Sequence, residues 1–271
     1  MPYVQTPSAT LFVTEAGSPN APPILFSNSL GTTHRMWDAV VAELSADFRC
    51  IRYDTRGHGA STFDARPFDI AALADDAVAL MNNLGLARVH FAGLSLGGMT
   101  GQALAIHHPD RLASLTLMAT SAFMPTEAAW NDRAALVRRE GTKAIVGATL
   151  ERWFTPGYRE SAATSVEAVA AEFLAIDRTG YAGACEAIGR MDLRPDLGTI
   201  VAPTTIIAGA EDPATPLAMA RELNQAIDGS ELVVLSPAAH LLAVEQPERV
   251  CAELRKTVAM NHPGVAGGSN S

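Results

Sequence analysis

The sequence predicts an α/β protein: a mostly parallel sheet flanked by helices, with a helical cap insertion. Three observations carry that prediction. Short apolar runs alternate with amphipathic stretches along most of the 271 residues, as strand–helix–strand units require. The alternation stops between Ala122 and Asp196, where the chain turns helix-like and rich in Ala, Arg and Glu. Finally, Gly93-Leu94-Ser95-Leu96-Gly97 joins a strand-like run to a helix-like one.

In chain order, Tyr3 to Gly17 is expected to add an antiparallel hairpin at one sheet edge. The runs ILFSNS (24–29), FRCIRYD (48–54), VHFAGLS (89–95), LASLTLMAT (112–120), TTIIAGA (204–210) and ELVVLS (231–236) read as buried strands. Each is short, partly β-branched and bounded by Gly, Pro, Asn or Asp. Residues 69–85 place Ile70, Leu73, Ala77, Leu80, Met81 and Leu84 on one helical stripe that ends at Gly85, a C-cap residue. The expected division is therefore a core in two parts, 1–121 and 197–260, with a cap at 122–196. The cap should cover the sheet's carboxyl edge; packing on the sheet's flank is the alternative. The Gly/Ser-rich end, 261–271, is expected to be a disordered tail.

Composition narrows the function. With 48% hydrophobic and 18% charged residues, the chain has the apolar surface a packed core needs, unlike a disordered protein. Its net charge of −9 opposes binding to nucleic-acid phosphates. The three cysteines, Cys50, Cys185 and Cys251, lack metal-ligand or redox spacing. The first twenty residues have neither a basic start nor an apolar core, and no apolar run is long enough to span a membrane. The expectation is a cytoplasmic globular protein that binds neither nucleic acid nor membrane. The sequence leaves its oligomeric state open.

Ser95 carries the chemistry. A serine held at a tight strand-to-helix turn is exposed above the sheet at a helix start, and glycines two residues before and after let strand and helix approach. A serine hydroxyl is a poor nucleophile unless a base and an orienting acid accompany it. Asp212 follows the TTIIAGA run and His240 follows ELVVLS, so both fall in loops at strand carboxyl ends, on the same edge as Ser95. Glu211 is the competing acid, and the turn-forming Asp-Pro pair favours Asp212. The oxyanion donors should be backbone N–H groups: Leu96, directly after the nucleophile, and Leu30, in the loop after ILFSNS, where Gly31 allows the turn. Asp54-Thr55-Arg56-Gly57-His58-Gly59 reads as a structural turn locked by its Asp and Arg. His107 and His108 are adjacent and cannot share a helix face as metal ligands would, so metal catalysis is not expected. A serine here also disfavours chemistry that needs a carboxylate nucleophile, such as that of dehalogenases or epoxide hydrolases.

Taken together, these stretches resemble the α/β-hydrolases, and within them the sequence is similar to 3-oxoadipate enol-lactonases of the β-ketoadipate pathway. The resemblance is carried by FSNSLGT (26–32), RYDTRGHGAS (52–61), VHFAGLSLGGMTGQ (89–102), LERWFTPGY (150–158), GYAGACEAI (180–188), IAGAEDPATP (207–216) and AAHLLAVEQPE (238–248). It implies the α/β-hydrolase fold, the triad Ser95, Asp212 and His240, oxyanion donors Leu30 and Leu96, no cofactor, and a small anionic lactone or ester as partner. It also implies Trp130 and Arg133, at the family's Trp-x-x-Arg spacing, as substrate-binding residues. An anionic substrate needs such a local cation in a chain of charge −9. Arg190 and Arg194 are reserves for that role, and Trp153 is expected in the cap core. Two segments depart from the family: Leu241-Leu242-Ala243 replaces Ser-Asn after the histidine, and Ala119-Thr120-Ser121 replaces Asn-Thr-Ala. Both bear on which acyl group is accepted. The alternatives are a general carboxylesterase, a carbon–carbon bond hydrolase, or a non-catalytic ligand-binding protein on the same scaffold.

Overall fold

The computed structural model describes residues 2–261. The expected disordered tail, 261–271, lies outside these from residue 262 onward. The chain opens with the antiparallel hairpin β1 (Tyr3–Gln5) and β2 (Ala9–Ala16), then β3 (Pro23–Ser27), α1 (Asp38–Leu44) and β4 (Arg49–Tyr53). A short β5 (Thr62–Phe63), which the sequence reading missed, pairs with β2. Next come α2 (Ile70–Asn83), β6 (Val89–Leu94), α3 (Leu96–His107) and β7 (Leu112–Met118). Each core strand stops one or two residues before its apolar run does, because those last residues already belong to the loops that build the site.

Strand order is β1-β2-β4-β3-β6-β7, continued by β8 (Thr204–Gly209) and β9 (Glu231–Leu235). All pairs from β4 to β9 are parallel, and β2 pairs antiparallel with β4. Every residue of β6 and β8 is buried, as expected where helices cover both sheet faces. The chain runs from β3 out to β4 and returns to β6 on the other side of β3. That reversal opens a crevice at the carboxyl ends of β3 and β6, the usual ligand position in such sheets.

Local chemistry sets the elements. In α2 the Asp69 carboxylate accepts from Ala72 N–H (2.9 Å), satisfying an orphan donor. Gly85, at φ +67°, follows its end, and Leu86 N–H returns to Met81 C=O (2.9 Å). The stripe Ile70, Leu73, Ala77, Leu80 and Met81 is buried.

Between β7 and β8 the chain forms α4 (Glu127–Glu140), α5 (Val146–Trp153), α6 (Pro156–Ser161), α7 (Ala163–Ala175) and α8 (Arg178–Arg190). Its only strand-like feature among the described residues is an isolated bridge, Phe123 to Asp192. Helix α8 sits backbone to backbone on the Asp54–Gly59 turn: a Cβ added at Gly180 would lie 2.2 Å from Gly57 O. The turn itself is held by Asp54, which accepts from His34 N–H (2.7 Å) and Ala60 N–H (2.9 Å). Arg56 pairs outward with Asp76 of α2 (2.7 Å) instead of locking the turn. After β8 follow α9 (Leu217–Ala226), α10 (Leu242–Glu245) and α11 (Pro247–Asn261).

Candidate active site

Ser95 sits between β6 and α3 with φ +56° and ψ −112°, a conformation costly for any residue but glycine. The surrounding backbone over-determines it. Ser95 N–H donates to Met118 C=O (2.8 Å), while Ser95 C=O accepts from Met99 N–H (2.9 Å) and the Thr120 hydroxyl (2.8 Å). A Cβ at Gly93 would lie 2.1 Å from Gly97 O, and one at Gly97 would lie 2.1 Å from Ser27 O. The glycines are therefore a packing requirement. They let strand, helix and the β3 carboxyl end come together.

That approach also joins the two expected oxyanion donors. Gly97 N–H donates to Asn28 C=O (2.9 Å), tying the start of α3 to the loop that carries Leu30. The loop is further pinned by Asn28, whose amide donates to Tyr53 C=O (2.7 Å) and accepts from the Trp37 indole (2.9 Å). Gly31 takes φ +81°. Among the described residues, neither Leu30 N–H nor Leu96 N–H has a protein acceptor. Two buried, uncommitted donors, Leu96 at a helix start and Leu30 in the facing loop, suit a developing negative charge.

On the far side, β8 and β9 deliver the acid and the base. His240 Nδ1 lies 2.8 Å from Asp212 Oδ2. Asp212 also accepts from Ala214 N–H (2.7 Å), Thr215 N–H (3.0 Å) and the Thr215 hydroxyl (2.6 Å). Burial alone would raise this carboxyl; His240 and the Thr215 hydrogen bonds outweigh it and hold it below the ordinary aspartate value. The competing Glu211 is exposed and uses its backbone N–H on Ala238 C=O. Asp212, not Glu211, faces the histidine.

Ser95, His240, Ser29 and Leu30 floor a small cavity of about 60 Å³. Its upper wall comes from the helical block: Met124, Trp130, Arg133, Arg152, Trp153 and Ile188. The helices thus lie over the serine. Trp130 and Arg133, chosen from sequence, are both on this wall, with the Arg133 guanidinium 5.8 Å from the Trp130 ring centroid. Arg133 is fixed from behind by the Tyr181 hydroxyl (Nε 2.9 Å, Nη2 2.5 Å) and Thr149 Oγ1 (3.3 Å).

Three expectations are corrected. Arg190 points away and donates to Phe68 C=O (2.9 Å). Arg194 is exposed, pairs with Asp192 (2.6 Å) and stacks on Phe123. Neither reaches the cavity. Trp153 does belong to the cap core, edge-on to Phe173 at 5.3 Å, but it also lines the cavity. Arg152 was missed: its partner at helical spacing, Thr149, is a common helix residue that marks no site, and only the fold brings it beside Arg133. Cys185 is not on the wall; it is buried behind Arg133, and burial pushes its thiol up to about 12. Among the described residues no group of His, Cys, Asp and Glu side chains converges as a metal site would, and no helix is long and apolar enough to cross a membrane.

Comparison with known proteins agrees with this fold. The family model described as alpha/beta hydrolase fold matches residues 22–247. The chain is 41% identical over 232 residues to 3-oxoadipate enol-lactonase 2 of Acinetobacter baylyi, covering 86% of each chain. It superposes on the enol-lactonase from Burkholderia xenovorans LB400 with a TM-score of 0.92 at 40% identity, covering 95% of this chain and 100% of that one. A thermophilic esterase from Thermogutta terrifontis, solved with malate bound, gives a TM-score of 0.91 at 29% identity over 96% and 98% of the two chains.

Proposed function

The chain belongs to the α/β-hydrolase family, and on that premise we propose that this ester-bond hydrolase is a lactonase that opens a small anionic enol-lactone, 3-oxoadipate enol-lactone, to 3-oxoadipate. The observation that carries the reading is a buried His240–Asp212 pair (2.8 Å) and a strained serine facing one cavity whose wall holds guanidinium groups and no carboxylate. The substrate proposed is the one in the name of the Acinetobacter baylyi relative, and the likeness to a solved enol-lactonase supports the lactonase class.

Ser95 Oγ attacks the lactone carbonyl while His240 Nε2 takes its proton. Asp212 holds the imidazole by Nδ1 and stabilises the imidazolium. The carbonyl oxygen gathers its charge against the Leu30 and Leu96 N–H groups, each such donor being worth about 10²–10³ in rate. Collapse breaks the ring C–O bond. The enol oxygen departs as an enolate, takes the proton from His240 and ketonises. A water deprotonated by His240 then attacks the acyl-serine and releases a carboxylate. The product carries two carboxylates, one newly made at Ser95 and one present from the start, which Arg133 and Trp130 receive. Residues 122–196 act as the cap that covers this reaction and limits access of bulk water to it.

The test compares hydrolysis of 3-oxoadipate enol-lactone, followed by loss of its ultraviolet absorbance, with that of a neutral p-nitrophenyl ester. A large kcat/KM preference for the lactone is expected. Ester turnover without lactone turnover would leave a general carboxylesterase, with the Leu241–Ala243 departure as the leading cause. Failure of a fluorophosphonate to label Ser95 would point to a ligand-binding protein instead.

A further inference from the structure

We propose that Arg152 is a second anion-binding residue which, side by side with Arg133, forms a two-guanidinium clamp for the substrate's free carboxylate. The site would then select small esters and lactones carrying a terminal carboxylate over neutral ones of equal size. The proposal rests on the reading of Ser95 as the nucleophile; it does not require the acyl group to be 3-oxoadipyl.

Four observations support it. Arg133 and Arg152 both line the cavity that holds Ser95, and no acidic side chain lines it. Among the described residues neither arginine takes part in an ion pair, whereas Arg35, Arg49, Arg56, Arg138 and Arg194 do. The carboxylate acting most on Arg152 is that of its chain neighbour Glu151, which is exposed.

The donors are also unequally spent. Arg133 commits Nε and Nη2 to the Tyr181 hydroxyl and Nη2 to Thr149. Arg152 makes one long contact, Nη2 to the same Thr149 hydroxyl (3.4 Å). Most guanidinium donors still available at the wall therefore belong to Arg152. Sharing one hydroxyl oxygen places two like charges next to each other in a partly buried site. Burial, followed by the Arg133 charge, makes the charged form of Arg152 harder to keep. A pair of cations in that position costs free energy unless an anion bridges them, and a carboxylate's two oxygens match two forks.

Arg152 is also held in register with the chemistry. The next residue, Trp153, accepts from Leu241 N–H through its carbonyl (2.9 Å). Glu245 bridges the same two segments, accepting from Thr155 N–H (2.7 Å) and hydroxyl (2.9 Å) on one oxygen and from Ala239 N–H (2.5 Å) on the other. The residues flanking His240 are thus bonded to the residues following Arg152, which fixes the clamp's distance from the reacting atoms. Leu241 is buried and joins the segments through its backbone, so the departure from Ser-Asn leaves this link intact.

The test uses p-nitrophenyl butyrate and the mono-p-nitrophenyl ester of glutaric acid, which share a reacting centre and differ in the terminal carboxylate. The wild-type enzyme should prefer the charged ester in kcat/KM, and the preference should shrink as salt is raised. In Arg152→Gln the charged-to-neutral ratio should fall about tenfold to a hundredfold through KM, the size of one charge-assisted hydrogen-bonded pair. Arg152→Lys should restore part of it, and Ki for glutarate should rise in parallel with the lost preference. An unchanged ratio in a folded Arg152→Gln enzyme would overturn the clamp and leave the carboxylate to Arg133 alone. So would equal losses on both esters. If the enol-lactone is not turned over but the ratio still depends on Arg152, the clamp stands and the lactone reading falls. If the lactone is a substrate and the ratio ignores Arg152, the reverse holds.

Discussion

The two halves of the site are built by different physics. Below the cavity, the serine elbow is made of backbone: a left-handed Ser95, glycines in contact through their main chains, and the Leu30 and Leu96 N–H groups, which have no protein acceptor among the described residues. Above it, the wall is made of side chains that hold one another: Tyr181 and Thr149 behind Arg133, Thr149 between Arg133 and Arg152, Trp130 beside them. A backbone site tolerates almost no substitution at its glycines but is indifferent to substrate charge. A side-chain site can be rebuilt residue by residue. On the proposed reading, the reaction type lies in the lower half and the choice of acyl group in the upper half.

Substitutions can break or sharpen that contrast. Removing the nucleophile, Ser95→Ala, should lower kcat on the order of 10⁶-fold on charged and neutral substrates alike, with the fold intact by circular dichroism. Full activity in that variant would end the triad reading. Ser95→Gly should be equally inactive yet raise the melting temperature, because glycine takes φ +56° without strain; a lower melting temperature would contradict the strain argument. Asp212→Asn should cost about 10⁴ in kcat, since His240 loses the partner that sets its tautomer. A loss below tenfold would mean that another group orients His240.

The upper half should answer differently. Arg133→Leu should lower the charged-to-neutral kcat/KM ratio about tenfold or more and leave kcat for the bound charged substrate less affected than KM. Equal loss on both substrate types would reject the role. Tyr181→Phe keeps the charge but frees the guanidinium, and should reproduce a fraction of that loss. If it matched Arg133→Leu, positioning and not charge would be the larger contribution.

The smallest effect lies where the halves meet. His58 sits in the turn under α8, with its ring 6.4 Å from that of Tyr181 and, among the described residues, no hydrogen-bond partner at Nε2. Burial lowers its proton affinity below the ordinary 6.5, outweighing its hydrogen bond to Arg56 C=O and the pull of Asp54 and Asp177. A histidine kept neutral in the native state but protonated in the unfolded one makes the unfolded state bind more protons below 6.5. Stability should thus be fully present above that pH and decline as pH falls through it. Thermal melts between pH 7.5 and 5 should show the decline, and His58→Gln should flatten it. The depressed Asp212 adds a second loss only at more acid pH, as its carboxylate is protonated below the ordinary 3.8. Equal pH slopes in wild type and His58→Gln would assign the acid sensitivity elsewhere.

How far the sequence reaches follows the same division. The six core strands, the hairpin at the edge, the helix ending before Gly85 and the order of Ser95, Asp212 and His240 could all be read from short stretches. Each depends on a local pattern: apolar runs with turn residues at their ends, a helical stripe, or small residues flanking a strained serine. Because the core strands are parallel, loops after three of them share one edge, so the site's place could be stated before any distance was known. The wall could not be read this way. Arg133 meets Thr149 across 16 residues and Tyr181 across 48, and Thr155 meets Glu245 across 90. Such contacts leave no local period or spacing, which is why Arg190 and Arg194 stood as reserves behind Arg133 and Arg152 was not named. Backbone geometry is encoded within a few residues of itself. The partner of a side chain is settled only when distant helices pack, and that packing placed two arginines over Ser95.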